Sequence, residues 1–136
     1  MTVSLIDRLS GLVGDAFTQA GLDAAYGKVQ ASDRPDLAQF QCNGALAAAK
    51  QAKQNPRALG EQVAAILKQR DELADVSLAG PGFINLTLTD AYLAGVANEI
   101  AADETCGAWH NPAPKKLVMD YGGPNVAKPL HVGHLR

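Results

Sequence analysis

The hydrophobic repeat of this chain changes period twice, and this constrains the fold more than any other feature of the sequence. Near the N-terminus the apolar residues recur at helical spacing: Ile6, Leu9, Val13, Phe17 and Ala20. Between positions 75 and 89 they alternate along the chain, which is the period of a strand buried on one face. Helical spacing returns after Asp90. Helices on both sides of a short stretch of strands predict an α+β fold with a small antiparallel sheet.

Capping signals mark about four predicted helices. Ser4 suits an N-cap of the first helix, with Gly21 as its stop. An alanine-rich stretch from Gln41 favours a second helix. Asn55 followed by Pro56 indicates the start of a third, whose buried stripe is Leu59, Val63, Ile66 and Leu67. Asp90 would cap a fourth, which carries Leu93, Val96, Ala97, Ile100 and Ala101. The segment 22–36 is either loop or a short strand around residues 28–30.

The alternating segment predicts two antiparallel strands joined by a turn at Gly80, Pro81 and Gly82. If the apolar residues of the second strand face the core, then its other residues face the opposite side of the sheet. The core set is Ile84, Leu86 and Leu88, and the opposite set is Phe83, Asn85 and Thr87.

Charge and composition exclude several classes of protein. The 136 residues include 12 Lys and Arg and 14 Asp and Glu, so bulk positive charge does not drive nucleic-acid binding. Cys42 and Cys106 form no metal-binding pair and suit idle thiols in a reducing compartment. No apolar run is long enough for a membrane span and the N-terminus has no signal-peptide pattern. We expect a cytoplasmic monomer that contacts neither membrane nor DNA.

The residues that predict a chemical function lie in the C-terminal stretch. Residues 105–114 break every period and suit a linker, and the apolar run 117–119 suits a buried parallel strand. A loop with Gly122 and Gly123 then leads into the first turns of a helix. A strand that enters a helix through a glycine loop gathers backbone N–H groups and a positive dipole end, where phosphate binds.

Two histidines and a lysine stand at this predicted phosphate site. His131 and His134 are three residues apart and share a helix face, and Lys128 precedes them. All three can stabilise charge on a phosphoryl group in a transition state. Histidines at this spacing are more often ordinary surface or core residues, and half a zinc site would lack further ligands at metal spacing. The functional interpretation therefore depends on the whole segment.

That segment, GPNVAKPLHVGHLR at 123–136, resembles the first signature of class I aminoacyl-tRNA synthetases. Its HVGH portion is similar to their HIGH motif, and PNVAKPL has the form typical of arginyl-tRNA synthetases. The upstream PGFINL and, more weakly, FQCN are similar to that family's N-terminal extension. The resemblance implies a Rossmann-like catalytic domain of which this chain carries only the first strand and helix start.

The resemblance also implies roles for individual residues. His131 and His134 would hold the ATP phosphates, Gly133 would make room for adenosine, and Asn125 and His131 would contact the amino acid. Asp120 stands where the family usually has Glu, and Gly122–Gly123 replaces the more usual Ser-Ser. The shorter acid puts the role of Asp120 in doubt, and the glycines remove two hydroxyls from the pocket rim.

For the N-terminal domain the resemblance implies contact with the D-loop at the outer corner of tRNA, through Phe83 and Asn85. The ring would stack on a base and the amide would read its edge. The alternative is that Phe83 packs under the fourth helix and Asn85 satisfies a turn. Four basic side chains are candidates for phosphate contacts or are simply solvated: Lys28, Arg34, Lys115 and Lys116.

The leading hypothesis is thus an arginine–tRNA ligase cut after its HIGH-type motif, itself inactive. Its partners would be tRNA(Arg), L-arginine and ATP as substrate with Mg²⁺, without a tightly bound cofactor or structural metal. The expected domains are 1–106 for tRNA contact, 107–115 as linker and 116–136 as the start of the catalytic domain. A stand-alone RNA-binding or interaction module with a HIGH-like relic is the alternative. Another nucleotide-dependent ligase or nucleotidyltransferase is a third.

Overall fold

A computed structural model describes residues 3–108 and 113–119 of the chain. In this part, the chain forms four α-helices, one 3₁₀ turn and a four-stranded sheet, in agreement with the α+β prediction. The helices are α1 (Leu5–Gln19), α2 (Gly44–Ala52), α3 (Pro56–Leu67) and α4 (Asp90–Ala102), and the 3₁₀ turn is Ala24–Gly27. The strands are β1 (Val29–Ala31), β2 (Phe40–Cys42), β3 (Leu73–Ala79) and β4 (Phe83–Leu88).

The sheet is antiparallel throughout, with the strand order β1-β2-β4-β3. One face packs against α1, α2 and α3, and the predicted core residues of β4 lie there: Ile84, Leu86 and Leu88 are all buried. The predicted β3–β4 hairpin is confirmed. Its turn contains Gly80 and Gly82, both at the positive φ that glycine adopts without strain. A register shift between Leu73 and Asp75 interrupts the pairing near the start of β3.

The ends of α1 follow the sequence signals closely. The Ser4 hydroxyl accepts a hydrogen bond from the Asp7 N–H, as an N-cap does. At the other end Gly21 has a φ of 79°, its N–H donates to Thr18, and the Leu22 N–H donates to Phe17. These two bonds form a Schellman motif, which confirms Gly21 as the stop. Ile6, however, is 40% exposed and lies outside the buried stripe.

The third helix begins as predicted and the fourth does not. Asn55 accepts a hydrogen bond from the Arg57 N–H, with Pro56 at the first helical position. The N-cap of α4 is Thr89 and not Asp90, because the Thr89 hydroxyl accepts from the Tyr92 N–H. Of the residues predicted to form the buried stripe of α4, Val96 is buried and the others are exposed or half-buried.

An ion pair joins α4 to α1. The Arg8 guanidinium donates to the Glu99 carboxylate at 2.5 Å, which lowers the pKa of Glu99. Beyond α4, the Asp103 carboxylate accepts from the N–H groups of Thr105 and Gly107 and ends the helix in a compact turn.

Two segments differ from the sequence predictions. The alanine-rich pattern favoured a helix from Gln41, but residues 40–42 form strand β2 and α2 begins only at Gly44. The predicted strand at 117–119 is wrong for the described residues. Leu117, Val118 and Met119 lie outside any strand, with Val118 89% exposed. A parallel strand forms only beside neighbouring strands, and the four strands described here pair with one another. In the described residues, no helix is both long and apolar enough to cross a membrane.

Three glycines bring the backbones of α1, the 3₁₀ turn and α2 into direct contact. A Cβ on Gly27 would overlap the backbone of Gly14 in α1, and one on Gly44 would overlap the carbonyl of Tyr26. Gly27 comes just before β1 and Gly44 just after β2. This glycine junction, Gly14–Gly27–Gly44, therefore fixes where the first two strands begin and end relative to α1.

We expect Gly27→Ala and Gly44→Ala each to lower the free energy of unfolding by about 3 kcal/mol or more, because the added methyl would meet backbone that cannot rotate away. Gly11→Ala is the matched control, since nothing lies within 4 Å of its added Cβ and it stands inside α1. Alanine there should stabilise the chain by about 0.5–1 kcal/mol. Urea unfolding followed by circular dichroism measures all three. Equal stability of Gly27→Ala and Gly11→Ala would contradict the close packing.

Candidate nucleic-acid interface

The face of the sheet opposite the three helices carries a straight row of polar side chains. The register pairs Gln30 with Gln41, Gln41 with Asn85, and Asn85 with Ser77, so each strand contributes one residue. The rows on either side of it lie on the helix-facing side of the sheet and are apolar: Val29–Cys42–Ile84–Leu78 and Ala31–Phe40–Leu86–Val76. Ala31, at the end of edge strand β1, is the exposed member of these rows. Strict alternation across four strands thus separates an apolar face from a polar one.

Asn85 lies at the centre of this row and is only 7% exposed. Its Oδ1 accepts a hydrogen bond from Gln41 Nε2 at 3.1 Å. A buried amide is costly unless it is hydrogen-bonded, and Gln41 supplies that bond from the neighbouring strand. The bond runs across the sheet, so Asn85 does not serve the turn, which was the alternative explanation for it.

Phe83 lies two residues before Asn85, on the same face of β4, and is half-buried. Together they line a recess of about 390 Å³. Gln30, Gln41 and Asn43 complete its floor, and the β1–β2 loop forms a wall through Ser32, Asp33, Arg34 and Leu37. Leu37 is an exposed apolar side chain at this wall. The recess therefore combines an aromatic ring, an aliphatic side chain and several amides.

Hydrogen bonds hold the β1–β2 loop in place. The Ser32 N–H donates to the Gln39 carbonyl at 3.0 Å, and the Leu37 N–H donates to the Arg34 carbonyl at 2.9 Å. The Gln39 side chain reaches across and accepts from the Leu88 N–H at 2.9 Å, which extends the pairing of β2 with β4. The wall of the recess is thus tied to β2 and β4, two of the strands that form its floor.

Charge at the recess is nearly balanced. Arg34 forms two hydrogen bonds to Asp36, at 2.9 and 2.7 Å, and this lowers the pKa of Asp36. Both groups are exposed, so water screens the pair and it adds little stability. Lys28, Lys115 and Lys116 are exposed as well. Of the four basic residues that the sequence offered as candidates for phosphate contacts, Arg34 lines the recess.

An aromatic ring beside paired amides suits a flat heterocycle with hydrogen-bonding edges. The ring offers a stacking surface, and the amides offer donors and acceptors to the edge of the same ligand. An unpaired nucleic-acid base has both properties. The described residues contain no group of three or more His, Cys, Asp or Glu that could hold a metal ion.

The sequence placed two of these residues correctly and missed others. Alternation put Phe83 and Asn85 on one face, and the structure brings both to the recess. Gln41, Gln30, Asn43 and Leu37 were not predicted as part of a site. The similarity of FQCN to a family segment was the available signal for Gln41 and Asn43. The remaining candidates lie outside the described residues: Asp120, Asn125, Lys128, His131, Gly133 and His134.

The cysteines take no part in the recess. Cys42 lies on the core face of β2, where its Sγ donates to the Tyr26 carbonyl at 3.3 Å. Burial raises the pKa of this thiol and so reduces its reactivity. Cys106 is exposed, and both are free thiols, as the sequence suggested.

Comparison with known protein families gives two matches along the chain. Residues 4–88 match the model described as "Arginyl tRNA synthetase N terminal domain". Residues 96–136 match the model described as "tRNA synthetases class I (R), catalytic domain". The first match includes the whole sheet and α1 to α3, and therefore the recess.

Individual relatives agree with these matches. The arginine–tRNA ligase of Alkaliphilus oremlandii is 48% identical over 132 residues, which are 97% of this chain and 22% of that protein. The arginine–tRNA ligase of Hyphomonas neptunium is 49% identical over 133 residues, which are 98% of this chain and 23% of that protein. That of Francisella tularensis subsp. novicida is 41% identical over 128 residues. The chain thus spans less than a quarter of the length of these relatives.

A double-mutant cycle measures the bond between Gln41 and Asn85. We expect Gln41→Ala and Asn85→Ala each to destabilise the chain, and the double variant to be more stable than the sum of the two losses predicts. The coupling free energy should be about 0.5–1.5 kcal/mol, the net value of one hydrogen bond. Urea unfolding of the wild-type chain, the two single variants and the double variant gives this coupling free energy. Strict additivity would mean that the two amides do not interact.

Proposed function

Because this chain belongs to the arginyl-tRNA synthetase family, we propose that it is the N-terminal part of an arginine–tRNA ligase. The whole enzyme activates L-arginine with ATP, releases pyrophosphate and transfers the arginyl group to tRNA(Arg). We propose that residues 1–106 contact the tRNA, 107–115 form a linker and 116–136 begin the catalytic domain.

The tRNA-binding part of this proposal is based on the residues that line the recess. A D-loop base enters beside Phe83 and stacks on its ring, while Asn85 and Gln41 bind its edge. The net charge of −2 and the paired Arg34 argue against binding by bulk charge. Recognition therefore depends on shape and on a few contacts to an unstacked base, which is how proteins usually read single-stranded RNA. Arg34 can exchange Asp36 for an RNA phosphate at the rim.

The catalytic part of the proposal depends on the sequence match at 96–136. His131 and His134 bind the ATP phosphates and stabilise the charge that develops when the arginine carboxylate attacks the α-phosphate. Lys128 adds a positive charge near the same oxygens. Gly133 leaves space for the adenosine, and Asn125, His131 and Asp120 contact the amino acid. Mg²⁺ enters with ATP.

The first experiment titrates this chain against tRNA(Arg) and against a copy with replaced D-loop bases, at two salt concentrations. We expect weaker binding to the altered tRNA at both salt concentrations. Phe83→Leu should weaken binding to the unaltered tRNA by roughly tenfold, since base–aromatic stacking is worth about 1–3 kcal/mol. Ile100→Ala is the control, because Ile100 is an exposed apolar residue of α4 and does not line the recess.

Equal binding to both RNAs that disappears at the higher salt concentration would reject the D-loop contact, because such binding is nonspecific attraction to phosphates. It would favour the alternative of an interaction module without base recognition. A loss of affinity in Ile100→Ala equal to that in Phe83→Leu would move the contact away from the recess.

In the whole enzyme, His131→Ala and His134→Ala should each lower arginine-dependent exchange of pyrophosphate into ATP by about 10²- to 10³-fold, the usual cost of one lost transition-state donor. His110 is the third histidine of the sequence and lies outside the motif, so His110→Ala is the matched control. Similar exchange rates in all three variants would reject the catalytic roles. Exchange with another amino acid in place of arginine would favour a different ligase.

A further inference from the structure

We infer that Gln41 is a positioning residue for RNA recognition, because it determines which atoms of Asn85 are offered to a base in the recess. The inference rests on the proposed D-loop contact and goes beyond it. Gln41 and Asn85 are directly opposed in the register of β2 and β4 and both line the recess. The hydrogen bond from Gln41 Nε2 to Asn85 Oδ1 is the contact on which the argument depends.

This bond divides the polar atoms of the two amides. It occupies one N–H of Gln41 and the oxygen of Asn85, and it leaves the Asn85 Nδ2 group and the Gln41 Oε1 atom for a ligand. No buried side-chain nitrogen or oxygen in the described part of the chain lacks a partner, so these remaining atoms are not sealed inside the protein. A base in the recess therefore meets one donor and one acceptor side by side.

The pair maintains this pattern because neither amide can turn over alone. If Asn85 rotated by itself, its NH₂ group would face the NH₂ group of Gln41 and the hydrogen bond would be lost. Rotation of both together again leaves one donor and one acceptor. The pair thus fits a base edge that places one acceptor beside one donor. All four bases do so on their Watson–Crick edges, guanine through O6 and N1–H, but guanine alone also places two donors side by side.

Gln41→Glu changes this pattern without a change in length. A glutamate carboxylate only accepts hydrogen bonds, so Asn85 must donate its Nδ2 group to Glu and offer Oδ1 to the ligand. Both residues then present oxygen atoms. Two adjacent acceptors fit the N1–H and N2–H₂ donors of guanine. Asn85→Asp produces the same pattern, since its carboxylate accepts from Gln41 and presents a second oxygen to the recess.

The test uses the full 136-residue chain and a panel of tRNAs with each of the four bases at each unpaired D-loop position. We expect the wild-type chain to discriminate at one position. At that position, Gln41→Glu and Asn85→Asp should each shift the affinity ratio toward guanine by roughly tenfold, the value of one good bidentate contact. Gln41→Met has similar length and no hydrogen bond, so it should bring the affinities for the four bases close together.

Gln39→Glu is the matched charge control, because Gln39 precedes Gln41 by two residues and does not line the recess. The change adds the same negative charge, and the glutamate can still accept the hydrogen bond from the Leu88 N–H. That charge repels every tRNA equally and cancels in the affinity ratio. An unchanged ratio in Gln41→Glu, with the uniform weakening seen in Gln39→Glu, would overturn the inference and leave the D-loop contact standing. Failure of the wild-type chain to distinguish any D-loop base would reject both. Urea unfolding of each variant confirms that the comparison is made between folded proteins.

Discussion

The glycine junction is the constraint on which the rest of this structure depends. Gly27 packs against Gly14 just before β1, and Gly44 packs against Tyr26 just after β2, so α1 and the first two strands have one relative position. The Ser10 hydroxyl reinforces it by accepting from the Val29 N–H at 3.0 Å. With these ends fixed, β2 pairs with β4 in a single register, and that register determines which side chains face the helices and which face the recess.

The sequence could predict those parts of the fold whose signals are local. Ser4, Gly21 and Asn55 act within one turn of their own helices, and the β3–β4 hairpin is closed by three residues between its strands. Strand β2 could not be predicted in this way, because its three residues adjoin an alanine-rich helix and its partners Ile84 to Leu86 lie more than forty residues away. Residues 117–119 show the opposite error: an apolar run suggested burial, but burial also requires neighbouring strands.

The same distinction between local and long-range signals applies to the candidate site. Alternation along one strand was enough to place Phe83 and Asn85 on a common face. The pairing between strands was needed to bring Gln41 beside Asn85, and only the folded chain reveals that the amide is buried and hydrogen-bonded. Exposure could not be inferred from the period, because it differs between polar residues of the inner strands: Asn85 is buried, whereas Gln41 and Thr87 on the same face are half-buried. The β1–β2 loop, which supplies the wall, has no periodic signal at all.

The register shift in β3 has a consequence for the behaviour of the chain in concentrated solution. β1 and β3 are the outer strands of the sheet, and unpaired backbone at such edges can recruit the edge of another molecule. β1 is only three residues long, and β3 is interrupted between Leu73 and Asp75, with the Asp75 residue exposed. The β1 edge is short, and the β3 edge is irregular and has a charge nearby. Both features oppose edge-to-edge pairing of the sheets of two molecules. Association of two molecules through the edges of their sheets is therefore disfavoured on both sides.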